Sequence, residues 1–157
     1  MKRVILSVCV LLLVASCSKD SRYKGFSKTD TGIYYKLHSF GESKKQVKPG
    51  DYITSDIIYK KMNDSVFFEG RRKFQISKPS FEGSIDECFL MLTKSEKATF
   101  ILPVKSFFNK TLEANVPSFF SENDSLKVVI DLIEVQRKDE FLREKEAFLN
   151  WIKDFGD

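Results

Sequence analysis

The sequence predicts an α+β domain built on a mainly antiparallel sheet, and three observations carry that prediction. Apolar residues alternate with polar ones in the stretches before Phe81, the spacing switches to a helical one after Gly83, and β-rich runs return from Ala98 onward. A few strands, one central helix and then more strands give this class.

The chain starts with Met1-Lys2-Arg3 and the apolar run Val4 to Ala15, the charged-then-apolar layout of an export signal. That run is shorter than the about 20 apolar residues that span a bilayer. It ends in Val14-Ala15-Ser16-Cys17, which resembles the bacterial lipobox, so Cys17 is expected to carry lipid after loss of residues 1–16. Residues 17–30 are polar apart from Tyr23 and Phe26 and are expected to form a tether. Within them, Ser18-Lys19-Asp20 resembles surface-export signals of Bacteroidetes lipoproteins. The expected location is the bacterial cell envelope, on a membrane through the lipid anchor, with the outer membrane favoured.

Lys and Arg number 26 against 22 Asp and Glu, a net charge of +4, and Lys2 and Arg3 would leave with the leader. The remaining surface is mixed in sign and has no stripe of aromatic and basic residues, so nucleic acid is not an expected partner. With Cys17 lipidated, Cys88 has no disulfide partner and is expected to be a small apolar core residue.

The domain itself is expected over residues 31–136. Ile33, Tyr35 and Leu37 alternate with Tyr34, Lys36 and His38, a half-buried strand that leaves the single histidine on the polar phase without a catalytic role. Lys48-Pro49-Gly50-Asp51 is a turn, Tyr52 to Met62 a second strand, Asn63-Asp64-Ser65 another turn, and Val66 to Ile76 a third strand. Ile85, Cys88, Phe89 and Leu92 then fall on one face of a short helix, with Ser84 to Glu87 spaced as a capping box. Ser84 therefore reads as a helix cap rather than a nucleophile. Ala98 to Leu102 is a strand stopped by Pro103, and Leu126 to Val135 another. Residues 137–157 are expected to be an appended helix whose stripe of Phe141, Leu142, Phe148, Leu149 and Ile152 packs on its own domain.

Five segments, in this order and at these spacings, resemble the FKBP-type peptidyl-prolyl cis-trans isomerases. They are Thr31-Gly32-Ile33-Tyr34-Tyr35, Lys48-Pro49-Gly50-Asp51, Phe81-Glu82-Gly83-Ser84 running on to Leu90-Met91, Leu102-Pro103 with Phe107-Phe108-Asn109, and Val116-Pro117 with the last strand through Ile133-Glu134-Val135. The resemblance implies an FKBP-like curled antiparallel sheet around one short helix. It also implies proline-containing polypeptides as clients, and neither cofactor nor metal. Matched residue by residue, the catalytic pocket would comprise Phe68, Glu69, Phe81 and Phe108. Phe74, Ser84, Val128 and either Ile57 or Ile58 would bind substrate. Ser84 stands where the family has its floor tryptophan, Phe108 lacks the hydroxyl of the family's loop tyrosine, and an isoleucine takes the place of the second-strand tyrosine. Two functions follow from the resemblance: a weak isomerase for exported proteins, or a non-catalytic binding or chaperone module on the same fold.

Overall fold

The computed structural model describes residues 22–41 and 45–155. The expected leader and the lipidation site Cys17 lie outside the described residues.

Six antiparallel strands form one sheet in the order β1-β2-β5-β6-β3-β4. They span β1 (Ser27–Lys28), β2 (Tyr34–Ser39), β3 (Tyr52–Lys61), β4 (Val66–Gln75), β5 (Lys97–Pro103) and β6 (Ser125–Gln136). The period-two runs of the sequence become β2, β3 and β4 within a residue or two, because their alternation gives the sheet one apolar face. β6 and β5 hold the centre, and Ala98, Phe100, Leu126, Val128, Ile130 and Leu132 are all at most 2% exposed. Between the first two long strands, the turn at Lys48 to Asp51 is closed by the Lys48 amide donating to the Asp51 carboxylate at 2.8 Å. Gly50 takes φ +93° there, a conformation open to glycine at no steric cost.

Helix α1 (Ile85–Leu90) buries Ile85, Cys88 and Phe89 against the apolar face, as the helical spacing predicts. The capping box does not form. Ser84 sits at the N-cap, yet its hydroxyl makes no cap hydrogen bond and is buried without a partner. Glu87 instead accepts a 2.7 Å hydrogen bond from the Thr31 hydroxyl, tying the loop before β2 to the helix. Cys88 is fully buried, and burial pushes its thiol pKa well up, as expected of a core residue.

After Pro103 the chain makes a short helix α2 (Val104–Ser106) and a π-helical turn over Phe107–Thr111, which buries Phe107 and Phe108. The last helix, α3 (Lys138–Asp154), is fixed by its first turn. Glu140 accepts from the Arg137 amide at 2.9 Å, Lys45 pairs with Glu140 at 2.9 Å, and Phe141 stacks on Tyr52 at 3.7 Å. The expectation that its apolar stripe packs on the domain is corrected beyond that turn. Leu142, Phe148, Leu149, Trp151 and Ile152 are 45–58% exposed, and the helix buries no residue. A second correction concerns the tether: Ser27 and Lys28 pair with Tyr35 and Tyr34 as strand β1, so the sheet begins inside residues 17–30. Among the described residues no helix is long and apolar enough to cross a membrane.

Candidate functional site

The apolar face of β3 and β4, the start of α1 and the π-helical turn enclose an aromatic cleft of about 470 Å³. Strand register decides which residues reach it. Tyr59 stands opposite Phe68, Ile57 opposite Gly70 and Ile53 opposite Phe74, so these pairs share one face of the sheet. Ile57, Tyr59, Phe68 and Phe74 line the cleft, joined by Ile85, Asp86 and Phe89 from α1 and by Phe108 and Leu112 from the turn.

The rings form a connected wall. Tyr59 stacks on Phe68 at 4.9 Å and meets Phe107 edge-on at 5.0 Å, while Phe74 meets Phe89 edge-on at 5.3 Å. Such pairs contribute roughly 0.5–1.5 kcal/mol each beyond area burial, so the wall is held in shape without a ligand. Phe67 joins it at 6.3 Å from Phe108. Simple alternation would put Phe67 on the other face from Phe68, but the register slips between Tyr59 and Lys60, leaving Phe67 as the extra residue of a bulge.

Two charged groups border this apolar space. The Arg72 guanidinium lies 5.3 Å from the centre of the Phe68 ring, and Asp86 lines the helix side, its carboxyl pKa raised by burial. Burial also raises the Tyr59 phenol, against a smaller opposing pull from Arg72. Tyr59 thus supplies a protonated hydroxyl at neutral pH, the polar handle in an otherwise greasy cleft.

Of the residues singled out in the sequence, the structure brings Phe68, Phe74, Phe108 and Ile57 together. Of the two isoleucines, it is Ile57 that reaches the cleft; Ile58 pairs with Glu69 on the opposite face. Glu69 is misplaced for the same reason, since the neighbour of Phe68 on a strand must face the other way. It lies on the back of the sheet near Asp56, Arg71, Lys97 and Asp131. Phe81 sits outside the cleft lining, with the Lys110 ammonium 5.0 Å from its ring centre. Ser84 and Val128 are buried at 1% and 0% exposure and do not line the cleft either. The cleft residues that the pocket reading missed are Tyr59, Phe67, Arg72, Ile85, Asp86, Phe89 and Leu112. Period two from Ile57 points to Tyr59 and period two from Phe68 points to Arg72, whereas nothing in the sequence announces the bulge at Phe67.

Among the described residues no cluster of three His, Cys, Asp or Glu side chains could hold a metal ion. No family model and no curated protein matches the chain. Solved structures do. FkpA from Escherichia coli superposes with a TM-score of 0.58 at 15% identity, over 74% of this chain and 54% of that one. A peptidyl-prolyl cis-trans isomerase from Pseudomonas syringae pv. tomato gives 0.55 at 14% identity, over 74% of this chain and 84% of that one.

The fold is FKBP-like. The chain spans only about half the length of FkpA, and at these identities the likeness speaks for the fold alone. Within this FKBP-like frame, the aromatic cleft lies between the sheet and helix α1, where the sequence resemblance expects a proline pocket.

Proposed function

We propose that this chain is a peptidyl-prolyl cis-trans isomerase acting on exported polypeptides in the bacterial cell envelope, held at a membrane, the outer one by preference, by lipid on Cys17. The observation that carries the proposal is the cleft lined by Ile57, Tyr59, Phe68, Phe74 and Phe108. The reaction asks for no nucleophile, metal or base. An X-Pro amide is held planar by resonance, with a rotation barrier of about 18–20 kcal/mol, and the planar form is more polar than the twisted one. A cleft walled by rings, poor in water, favours the twisted amide over the planar one by differential binding. The proline ring sits against the aromatic lining of this cleft, and the Tyr59 hydroxyl donates to a substrate carbonyl and so fixes the segment. Arg72 and Asp86 at the border suit flanking residues of either charge.

The test is refolding of a protein limited by a prolyl bond, with the chain from Ser18 onward as catalyst. Acceleration by the wild type and its loss in Phe68→Ala support the proposal; absence of acceleration by a folded wild type overturns it.

One observation favours a second reading, a module that binds proline segments without catalysis. The position of the family's floor tryptophan is Ser84, which is buried at the helix start and contributes nothing to the cleft. Ile57, Ile85 and Phe89 line the cleft instead. Saturable binding of an X-Pro peptide without faster isomerisation would select this reading.

A further inference from the structure

The back of the sheet, remote in the strand pattern from the aromatic cleft, carries a second hollow of about 560 Å³. It is lined by Lys36, His38, Lys60, Lys97 and Lys127 around Thr99 and Val129, with Phe26 and Asp64 at its sides. The register explains the convergence. Lys36 is the partner of Thr99, Thr99 of Val129, and Lys60 of Lys127. Lys97 and Lys127 stand two residues before Thr99 and Val129 on their own strands, so each of the four lysines has its Cα within about 8 Å of that central pair.

This grouping is costly as it stands. Lys60 and Lys127 are directly opposite on neighbouring strands, an arrangement that destabilises a sheet through like-charge repulsion. Only part of it is answered internally. Asp64, on a left-handed backbone with φ 69°, pairs with Lys127 at 2.8 Å, and Asp131 with Lys97 at 3.2 Å. Lys36 and Lys60 form no ion pair among the described residues.

We propose that this hollow binds a phosphate-class anion, a phosphate mono- or diester, seated over Thr99 and Val129 between Lys36, Lys60, Lys97 and Lys127. The ammonium groups of Lys36 and Lys60, which have no ion pair among the described residues, supported by the already paired Lys97 and Lys127, match an anion with several equivalent oxygens, and Phe26 offers an apolar wall to the organic part of an ester. The His38 ring nitrogen lies 2.8 Å from the Thr99 hydroxyl, which orients that hydroxyl at the floor. Desolvation first, then the charges of Lys36 and Lys97, push the imidazole pKa down. Two sources of the phosphate fit the chemistry. Phe26 is nine residues after Cys17, a reach of at most about 30 Å, so a lipid on Cys17 would place headgroup phosphates nearby; a soluble phosphate ester is the other source.

The experiment is titration of the full chain in a neutral detergent, once with inorganic phosphate and once with micelles doped with phosphatidylglycerol, each at fixed ionic strength. Lys36→Gln with Lys60→Gln is the test variant. Lys145→Gln with Lys153→Gln, on α3, is the control of equal charge change. Saturable binding in either arm, weakened about tenfold or more in the test variant and unchanged in the control, supports the site. Saturation with inorganic phosphate identifies a soluble source and saturation with doped micelles alone a headgroup. Absence of saturation in both arms, or equal binding by the two double variants, overturns the proposal.

Discussion

Tyr59 and Phe68 stand directly opposite each other on β3 and β4, and their rings stack at 4.9 Å with 30° between the planes. Cross-strand register thus builds the aromatic cleft, since one pairing sets both wall and polar handle. A double-mutant cycle of Tyr59→Leu and Phe68→Leu, read by urea unfolding, is expected to give a coupling of about 0.5–1.5 kcal/mol. Strict additivity would mean that the two rings do not support each other.

Ser84 offers a test with opposite signs. A Ser that caps its helix loses about 1 kcal/mol on mutation to Ala, whereas a buried hydroxyl with no partner costs the folded state a comparable amount. Because the Ser84 hydroxyl is buried and unpartnered, Ser84→Ala is expected to leave stability unchanged or raise it by about 1 kcal/mol in chemical denaturation. A clear loss would restore the capping role.

The junction between domain and last helix rests on Arg137 and the buried Asp51. The Arg137 guanidinium pairs with the Asp51 carboxylate and also donates to the Gln46 carbonyl at 3.3 Å. Arg137→Met would leave that carboxylate with the Lys48 amide alone. Discounted for the partial exposure of Arg137, the expected loss is about 2 kcal/mol, measured by denaturant unfolding. A loss near zero would show the pair to be structurally idle.

His38 sets a pH dependence. Its folded pKa lies below the ordinary imidazole value of 6.5 through desolvation, Lys36 and Lys97. Between the two values the unfolded chain binds more protons, so stability rises with pH up to the unfolded pKa and falls as pH drops through the folded one. Proton NMR of the ring is expected to show the low midpoint, and Lys36→Gln to raise it. A midpoint unmoved by that substitution would remove the Lys36 contribution.

Trp151, the single tryptophan, is 55% exposed on α3. Its fluorescence is expected to be that of a solvated indole, freely quenched by acrylamide. Blue-shifted, protected emission would mean that the apolar stripe is covered in solution.

Much of this architecture was legible in the chain. Period two gave β2, β3 and β4, and the Ile85, Cys88, Phe89 and Leu92 spacing gave α1, because burial of one face is a local pattern. Phe68, Phe74 and Phe108 were found from the order of motifs. What failed depends on facts absent from local spacing. The motif order puts Glu69 in the pocket and leaves Ile57 and Ile58 as alternatives, although strand alternation puts Glu69 and Ile58 on the back; Phe67 was hidden by a bulge, and β1 was too short to show a period. The stripe on α3 has the spacing of a packed helix, but the Arg137 and Phe141 contacts hold only its start to the domain and the rest of the stripe stays exposed.

The central claim is most directly tested by NMR exchange spectroscopy on a short X-Pro peptide with a small amount of the chain from Ser18 onward. The account expects faster exchange between cis and trans resonances, with Phe68→Ala returning the rate to the uncatalysed one. Unchanged exchange with a folded wild-type chain would contradict it.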